Sequence, residues 1–462
     1  MAGYDLVVVG AGPGGYVAAI RATQLGLQTA VVEMERAGGV CGNWGCIPSK
    51  ALLADADLYR AMRDGASRGL IAEGLRVDFP KVMARSRGVA DRQATGVEFL
   101  FKKNGIAYHA GRARLAPNGV IVAHDDGTTE SIEARNVLLA TGSGERLLPG
   151  LEVDGEVVMT SREALADPRL PASVVVIGGG AVGVEFAYVY ASFGAAVTVV
   201  ELAATLLPGM DPELGQELAK AFHRQGIEVL LGHRFEQLTR NGTGATVAVR
   251  GEGGVRALTA ERVLVAVGRA PLSADLGLEE AGVRVERGFV VVDEALRTSV
   301  PTVWAIGDLV GPVMLAHAAS EQGVRVAEVI AGTRTVAALD VAAIPMCVYC
   351  EPEVAAVGLT EAQARERGEV HVGRFPFRAL GKAMATGHTE GFVKVVSGAR
   401  HGEILGVHMI GHGVTDLIAE AGLARTLEAT TEEIADTVHA HPTLAEALRE
   451  AALAAAGRAL NI

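Results

Sequence analysis

An α/β fold is the prediction for this chain, and three observations carry it. A strand, a glycine-rich turn, a helix and a second strand ending in glutamate lie together near residues 5–33. The same arrangement returns near residues 173–201, and from about residue 342 the pattern changes to strand candidates without glycine fingerprints, followed by helices. The repeated pattern gives two Rossmann-like dinucleotide-binding domains. The last segment reads as a C-terminal α+β domain with no cofactor of its own, suited to subunit contact and so to dimerisation. Size and composition agree: 462 residues exceed one ordinary core, and 49% hydrophobic with 21% charged residues is a globular balance, so about two or three domains are expected.

The first unit runs Asp5-Leu-Val-Val-Val9, then Gly10-Ala-Gly12-Pro-Gly-Gly15, a helical segment through Arg21 and Leu25, and Thr29-Ala-Val-Val ending in Glu33. The second runs Ser173-Val-Val-Val-Ile177, then Gly178-Gly-Gly180-Ala-Val-Gly183, a helix through Phe186 and Val189, and Val197-Thr-Val-Val ending in Glu201. In each, the first glycine permits the tight turn, the second lets backbone N–H groups approach a pyrophosphate, and the third lets helix and strand pack closely. The closing carboxylate accepts hydrogen bonds from adenosine ribose hydroxyls. At Glu201 it would repel a 2′-phosphate, which argues for NAD over NADP. One glycine fingerprint alone also occurs as a plain glycine-rich turn; the strand–turn–helix context with the carboxylate on register, found twice, removes that reading. Two nucleotide sites in one chain pair most economically as a flavin that stays bound and a nicotinamide that comes and goes, here FAD and NAD.

Each unit has a candidate closing strand: Asn136-Val-Leu-Leu-Ala140 with Thr141-Gly142-Ser143 after it, and Val263-Leu-Val-Ala-Val267 with Gly268-Arg269. A further strand, Thr302-Val-Trp-Ala-Ile306, ends in Gly307-Asp308 and lies too far on to belong to the second unit, so the NAD domain is expected to be inserted into the FAD domain. The expected boundaries are 1–145 and 273–341 for the FAD domain, 146–272 for the NAD domain and 342–462 for the interface domain. Strand candidates in the last domain are 354–357, 392–396 and 406–410, with helices beginning near Val414, Thr430 and Thr443.

A formal net charge of −12 without any dense Lys/Arg block leaves no electrostatic footprint for nucleic acid. Mean hydropathy is +0.28, yet apolar runs such as 186–200 fall short of the roughly 20 residues of a membrane span. With so little sequence before the first strand there is no room for a leader, and a cytoplasmic protein is expected. Four cysteines in a chain this long do not make a disulfide scaffold, so their spacing matters more than their number.

Cys41 and Cys46 lie in Gly38-Gly-Val-Cys41-Gly-Asn-Trp-Gly-Cys46-Ile-Pro-Ser-Lys50, directly after the first nucleotide unit, so the fold carries them towards the flavin. In a regular helix residues five apart have Cα atoms about 8–9 Å apart, beyond a relaxed disulfide. A bridge would need a distorted helix start, which Gly42 and Gly45 permit, and such strain eases reduction. Two buried structural thiols are the alternative. Thiol–disulfide exchange needs a base, and histidine matches neutral pH; the segment His439-Ala-His441-Pro-Thr443-Leu-Ala-Glu446 supplies candidates. Thr443 and Glu446 also have the spacing of a capping box that would start the last helix. Cys347 and Cys350 invite a metal or second redox reading, but residues three apart on a strand face opposite ways, and they read as small core residues.

The segment Gly38–Lys50 resembles the active-site signature of the dihydrolipoamide dehydrogenases, members of the class I pyridine nucleotide-disulfide oxidoreductases, and the resemblance extends along nearly the whole chain. It implies a homodimer that uses FAD to reoxidise dihydrolipoyl groups with NAD⁺. It implies Cys41 as the interchange thiol and Cys46 as the thiol facing the flavin, with His441 as base and Glu446 as its orienting partner, delivered across the dimer interface. By the same resemblance, Lys50 and Glu185 pair near the flavin ring, and Asp308 holds the ribitol chain. Met314, Leu315, Ala316 and His317 line the isoalloxazine, Gly111, Thr141 and Gly142 add FAD contacts, and His439 is structural. The implied partner is a lipoylated acyltransferase core or the lipoyl carrier protein of glycine cleavage. The pattern of these enzymes does not require Cys347 and Cys350.

Related enzymes fail at named positions. A glutathione reductase-like enzyme would carry basic residues after the second unit, and Glu201-Leu-Ala-Ala-Thr205 has none. Mercuric reductases carry C-terminal cysteines, whereas this chain ends Ala456-Gly-Arg-Ala-Leu-Asn-Ile462. Soluble transhydrogenases and single-cysteine NADH oxidases lack one active-site thiol. A non-catalytic flavin-binding scaffold is the reading from another class, and the intact Cys41, Cys46, His441 and Glu446 speak against it.

Overall fold

Val7, Val8 and Val9 are β-branched and buried, and the strand that holds them, Tyr4–Val9, lies inside a parallel sheet covered on both faces. The computed structural model describes residues 3–461. Tyr4–Val9 pairs in parallel with Thr29–Glu33 on one side and Thr129–Leu139 on the other; Ala107–Ala110 extends the first edge and Val303–Ala305 the second. Residues 129–133 of the long strand also pair antiparallel with Gly119–Ala123, which pairs with Arg112–Ala116, completing a seven-stranded mixed sheet. Helix Pro13–Gln24 crosses between the first two strands and packs on helix Ala316–Ile330. A side chain at Gly14 or Gly323 would meet the opposite helix, so these positions set how closely the two approach.

The second unit is built the same way. Ser173–Ile177 is flanked in parallel by Ala196–Val200 and Arg262–Val265, with Glu228–Leu230 and Val158–Met159 at the edges. Val174 and Val176 face helices Ala181–Ser192 and Pro212–Arg224, while Val175 and Ile177 face an antiparallel layer of Arg234–Asn241, Gly244–Gly251 and Gly254–Ala260. The third unit is a five-stranded antiparallel sheet in the spatial order Met346–Val348, Glu353–Gly358, Ile404–Gly411, Phe392–Gly398, Val370–Pro376. Helices Val414–Thr426, Thr431–Asp436 and Glu446–Ala455 cover it. The expected mixed α/β class is therefore the observed one.

Two local expectations are corrected. The last helix begins at Glu446 and not near Thr443, because the Thr443 hydroxyl donates to Ala440 O (2.8 Å) instead of capping helix N–H groups, and only the reciprocal bond, Thr443 N–H to Glu446 Oε2 (2.9 Å), is made. Cys350 lies past the end of strand Met346–Val348, so strand alternation does not relate it to Cys347.

The units share core. Leu52 and Leu53, Phe186 and Tyr188, and Val354 and Ile410 belong to one buried cluster that joins helix Cys46–Asp64 to the second unit and the third sheet. A buried charge cluster lies across the junction between the second unit and the third. Lys394, on strand Phe392–Gly398, has only 2% of its side chain exposed, and its Nζ lies 3.1 Å from Asp211, 2.7 Å from Glu213 and 2.8 Å from Glu361. Burial alone would lower the Lys394 pKa, but these carboxylates outweigh it and hold it above the usual lysine value. No described helix is long and apolar enough to cross a membrane.

Candidate active site

The two glycine turns have the same geometry. Gly10 and Gly178 adopt φ of +104° and +113°, and a Cβ on either would strike a carbonyl of the neighbouring strand end, Ala140 or Ala266. Gly15 and Gly183 pack against Gly10 O and Gly178 O with no room for a side chain. Gly12 and Gly180 are the helix N-caps, leaving the first-turn N–H groups and the positive end of the dipole facing outward. Glu33 accepts from the N–H of Ala11 (2.7 Å) and Glu35 (2.9 Å), and Glu201 from those of Gly179 (2.6 Å) and Ala203 (2.7 Å). Each carboxylate keeps lone pairs for a ribose. Both cradles thus fit a dinucleotide: backbone donors for a pyrophosphate and a fixed carboxylate beyond them. Gly183→Ala should push helix Ala181–Ser192 off its strand, costing about 1–3 kcal/mol of stability; thermal unfolding checks it.

The cysteines flank a break between two helices. Gly39–Trp44 ends and Cys46–Asp64 begins at Gly45, which caps both. A side chain at Gly45 would crowd Val40 O at 3.2 Å. Asn43 fixes the preceding turn, donating through Nδ2 to Ala37 O and Gly39 O, both at 3.0 Å. Cys41 is half-buried and Cys46 exposed, and both are free thiols here. Cys46 is the first residue of a long helix, a position that favours a thiolate. Its pKa is lowered to about 7, first by the hydrogen bond from Cys41 and further by Lys50, against the opposing effect of burial. Cys41 moves the other way, upward, because it is the partner that keeps its proton in that bond.

Lys50 Nζ contacts both oxygens of Glu185, at 2.9 and 2.8 Å. The same Glu185 Oε1 accepts the backbone N–H of Tyr349 at 3.1 Å, and Lys50 Nζ sits 4.3 Å from the centre of the Tyr349 ring. Tyr349 was not singled out in the sequence. It reaches the pair from just past strand Met346–Val348 of the third unit, and no local motif marks it. Cys347, two residues before it, is pushed up to about 11, chiefly by burial and then by Glu353, and burial raises Cys350 well above its usual value. Both stay protonated thiols near neutrality and read as small packed residues.

The remaining candidates fall in two groups. Strand Ser143–Glu145 pairs with Arg269–Pro271 across the crossing between the first two units. There Ser143 donates to Asp308 and accepts from Arg269 Nε (2.7 Å), Thr141 donates to Leu272 O (2.7 Å), Gly142 O accepts from Leu272 N–H (3.0 Å), and Gly268 O accepts from Arg146 N–H (3.0 Å). Met314, Leu315, Ala316 and His317 lead into helix Ala316–Ile330, with His317 Nε2 2.8 Å from Pro345 O. Gly111 donates to Glu33 O (2.9 Å) and lies against Val122 and Ala123, a packing reason for glycine there.

His441 is 77% exposed and its Nδ1 lies 2.9 Å from Glu446 Oε1. Burial raises the Glu446 pKa, but the Thr443 N–H and the His441 ring outweigh it and hold the carboxyl below its usual value. A fixed carboxylate at Nδ1 leaves Nε2 free to take a proton. His439 differs: its side chain is 5% exposed and both ring nitrogens are engaged, with Glu420 and with Thr437 O, each at 2.9 Å. Among the described residues no hydrogen bond or ion pair links His441 or Glu446 to the cysteines of the same chain.

Residues 4–323 match the family described as pyridine nucleotide-disulphide oxidoreductase, and residues 344–452 match its dimerisation domain. The chain belongs to the pyridine nucleotide-disulphide oxidoreductases. The dihydrolipoyl dehydrogenase of Zymomonas mobilis is 46% identical over 463 residues, covering 99% of each chain, and that of Bacillus subtilis is 43% identical over 470 residues, again 99% of each. A crystal structure of LpdA from Mycobacterium tuberculosis superposes with a TM-score of 0.89 at 28% identity, covering 97% of this chain and 98% of that one. The expected flavoprotein disulphide oxidoreductase, with FAD and NAD as cofactors, is borne out by this membership. The matched dimerisation domain supports a homodimer of this oxidoreductase.

Proposed function

We propose that this oxidoreductase is a dihydrolipoyl dehydrogenase, catalysing dihydrolipoamide + NAD⁺ → lipoamide + NADH + H⁺. The observation that carries the reading is the broken helix at Gly45, which sets a thiol of lowered pKa, Cys46, beside Cys41 and the Lys50–Glu185 pair. The cycle starts from a Cys41–Cys46 disulfide. A substrate thiolate attacks Cys41 Sγ, forming a mixed disulfide and releasing Cys46 as a thiolate that Lys50 and the helix N-terminus stabilise. His441 of the partner subunit, held by its own Glu446, takes the proton of the second substrate thiol. That sulfur then closes the lipoamide ring and frees Cys41, which takes that proton from His441, while the proton of the first substrate thiol leaves to solvent as the H⁺ of the overall reaction. Two electrons have moved from substrate to the protein thiols, and bound FAD supplies the two-electron relay from them to NAD⁺.

In this reading Gly10, Gly12, Gly15, Glu33, Gly111, Thr141, Gly142, Ser143, Asp308 and residues 314–317 hold the flavin, and Gly178, Gly180, Gly183, Glu201 and Gly268 the nicotinamide coenzyme. The domains are 1–145 with 273–341, 146–272, and 342–462. The substrate arrives on a lipoylated acyltransferase core or a lipoyl carrier protein, in the cytoplasm, where reducing conditions suit Cys347 and Cys350 as thiols.

Glu201 gives the test a second arm, since a 2′-phosphate beside a buried, backbone-fixed carboxylate meets like-charge repulsion of several kcal/mol, about a hundredfold or more in kcat/KM. Steady-state assay of the FAD-loaded dimer with dihydrolipoamide should give NADH readily and favour NAD⁺ over NADP⁺ by that margin. Turnover of another disulfide with NADPH, and none of dihydrolipoamide, would overturn the substrate assignment.

A further inference from the structure

Glu351, His388 and His412 converge at one end of the third sheet. Glu351 lies in the turn before strand Glu353–Gly358, His388 just before Phe392–Gly398, and His412 just after Ile404–Gly411, so three loops at one end of the third sheet bring them together. One carboxylate oxygen and one nitrogen from each ring all lie within 4.8 Å of one another. His412 Nδ1 is 3.1 Å from Glu351 Oε2 and His388 Nδ1 is 3.5 Å from Glu351 Oε1. Zinc bonds of about 2.0–2.2 Å at a tetrahedral angle place neighbouring ligand atoms roughly 3.3–3.6 Å apart, close to both spacings. The rings stack with centroids 3.7 Å apart and 12° between planes.

The surroundings hold the group in place. Gln225 Nε2 donates to Glu351 O (2.8 Å), and Gln225 in turn accepts from Arg60 (3.0 Å), tying the loop to helices Pro212–Arg224 and Cys46–Asp64. All three side chains keep enough exposure, 28%, 36% and 45% for Glu351, His388 and His412, to admit an ion and a water as fourth ligand.

We propose that Glu351, His388 and His412 form a binding site for one divalent first-row cation, zinc by its donor set, which ties together three loops at one end of the third sheet. Two imidazoles and one carboxylate are borderline donors, whereas magnesium and calcium select all-oxygen shells. The proposal does not depend on the substrate assignment.

The test titrates the FAD-loaded dimer, oxidised at Cys41–Cys46 and stripped with a chelator, with zinc chloride against a chromophoric competitor. One equivalent per chain should bind to the wild type. Affinity should fall about a hundredfold or more in His388→Ala and in His412→Ala, with flavin content and metal-free turnover unchanged in both. Saturating zinc should raise the Tm of the wild type and of neither variant. Equal stoichiometry and affinity in the wild type and a His388→Ala/His412→Ala double variant would overturn the proposal, since any zinc bound would then belong to other groups.

Discussion

Replacing Cys46 with serine should abolish dihydrolipoamide-dependent reduction of NAD⁺, a loss on the order of 10⁴-fold or more, with the flavin still bound. A serine oxygen forms no disulfide with Cys41, so substrate thiols have nothing to reduce, and it does not ionise near neutrality as a thiol with a pKa lowered to about 7 does. The substitution is nearly isosteric at an exposed position, so folding and the glycine cradles are left intact. Steady-state kinetics with flavin absorbance as the folding control measure it. Residual turnover within about tenfold of wild type would mean that electrons bypass this pair.

Lys394→Ala should cost about 3–5 kcal/mol of stability, the penalty of leaving buried charges uncompensated. Asp211, itself only 2% exposed, would be left near Glu213 and Glu361 with only the peripheral Arg374, 2.6 Å from Glu213, and Arg365, 2.8 Å from Glu361, as cations beside them. The raised lysine pKa and the lowered Asp211 pKa both report that the folded state favours the charged forms. The contribution of Lys394 is fully present below its unfolded pKa and fades as pH rises through the folded one; that of Asp211 is present above the unfolded carboxyl value and is lost as pH falls through the folded one. Urea unfolding of the holoenzyme should show the loss, and adding Asp211→Asn should recover part of it because the two sites are coupled. An unchanged midpoint would show that water or neighbouring groups compensate the cluster.

The nucleotide units were legible because their chemistry is local: a turn with φ near +100°, a helix packed tight on a strand and a carboxylate 22 residues on from the N–H it accepts are all fixed by neighbours in sequence. The helix break between Cys41 and Cys46 was legible for the same reason, through Gly42 and Gly45. What distant segments assemble was not. Tyr349 joins Lys50 and Glu185 from the loop after strand Met346–Val348 of the third unit, and Lys394 sits in a strand where a lysine reads as solvent-facing until Asp211 and Glu361 are packed against it. The antiparallel layer of residues 234–260 and the long helix Phe79–Lys103 carry no cofactor motif and passed unremarked. The start of the last helix was misplaced because a threonine three residues before a glutamate reads as a cap, while the fold turns its hydroxyl to Ala440 O.

The most direct measurement is an anaerobic titration of the oxidised, FAD-loaded dimer with dihydrolipoamide, counting protein thiols before and after, followed by NAD⁺. The account predicts two new thiols per chain on reduction, absent from Cys41→Ser and Cys46→Ser, and one equivalent of NADH per chain as NAD⁺ closes the pair again. No new thiols with dihydrolipoamide, or NADH formed equally well without Cys41 and Cys46, would contradict it.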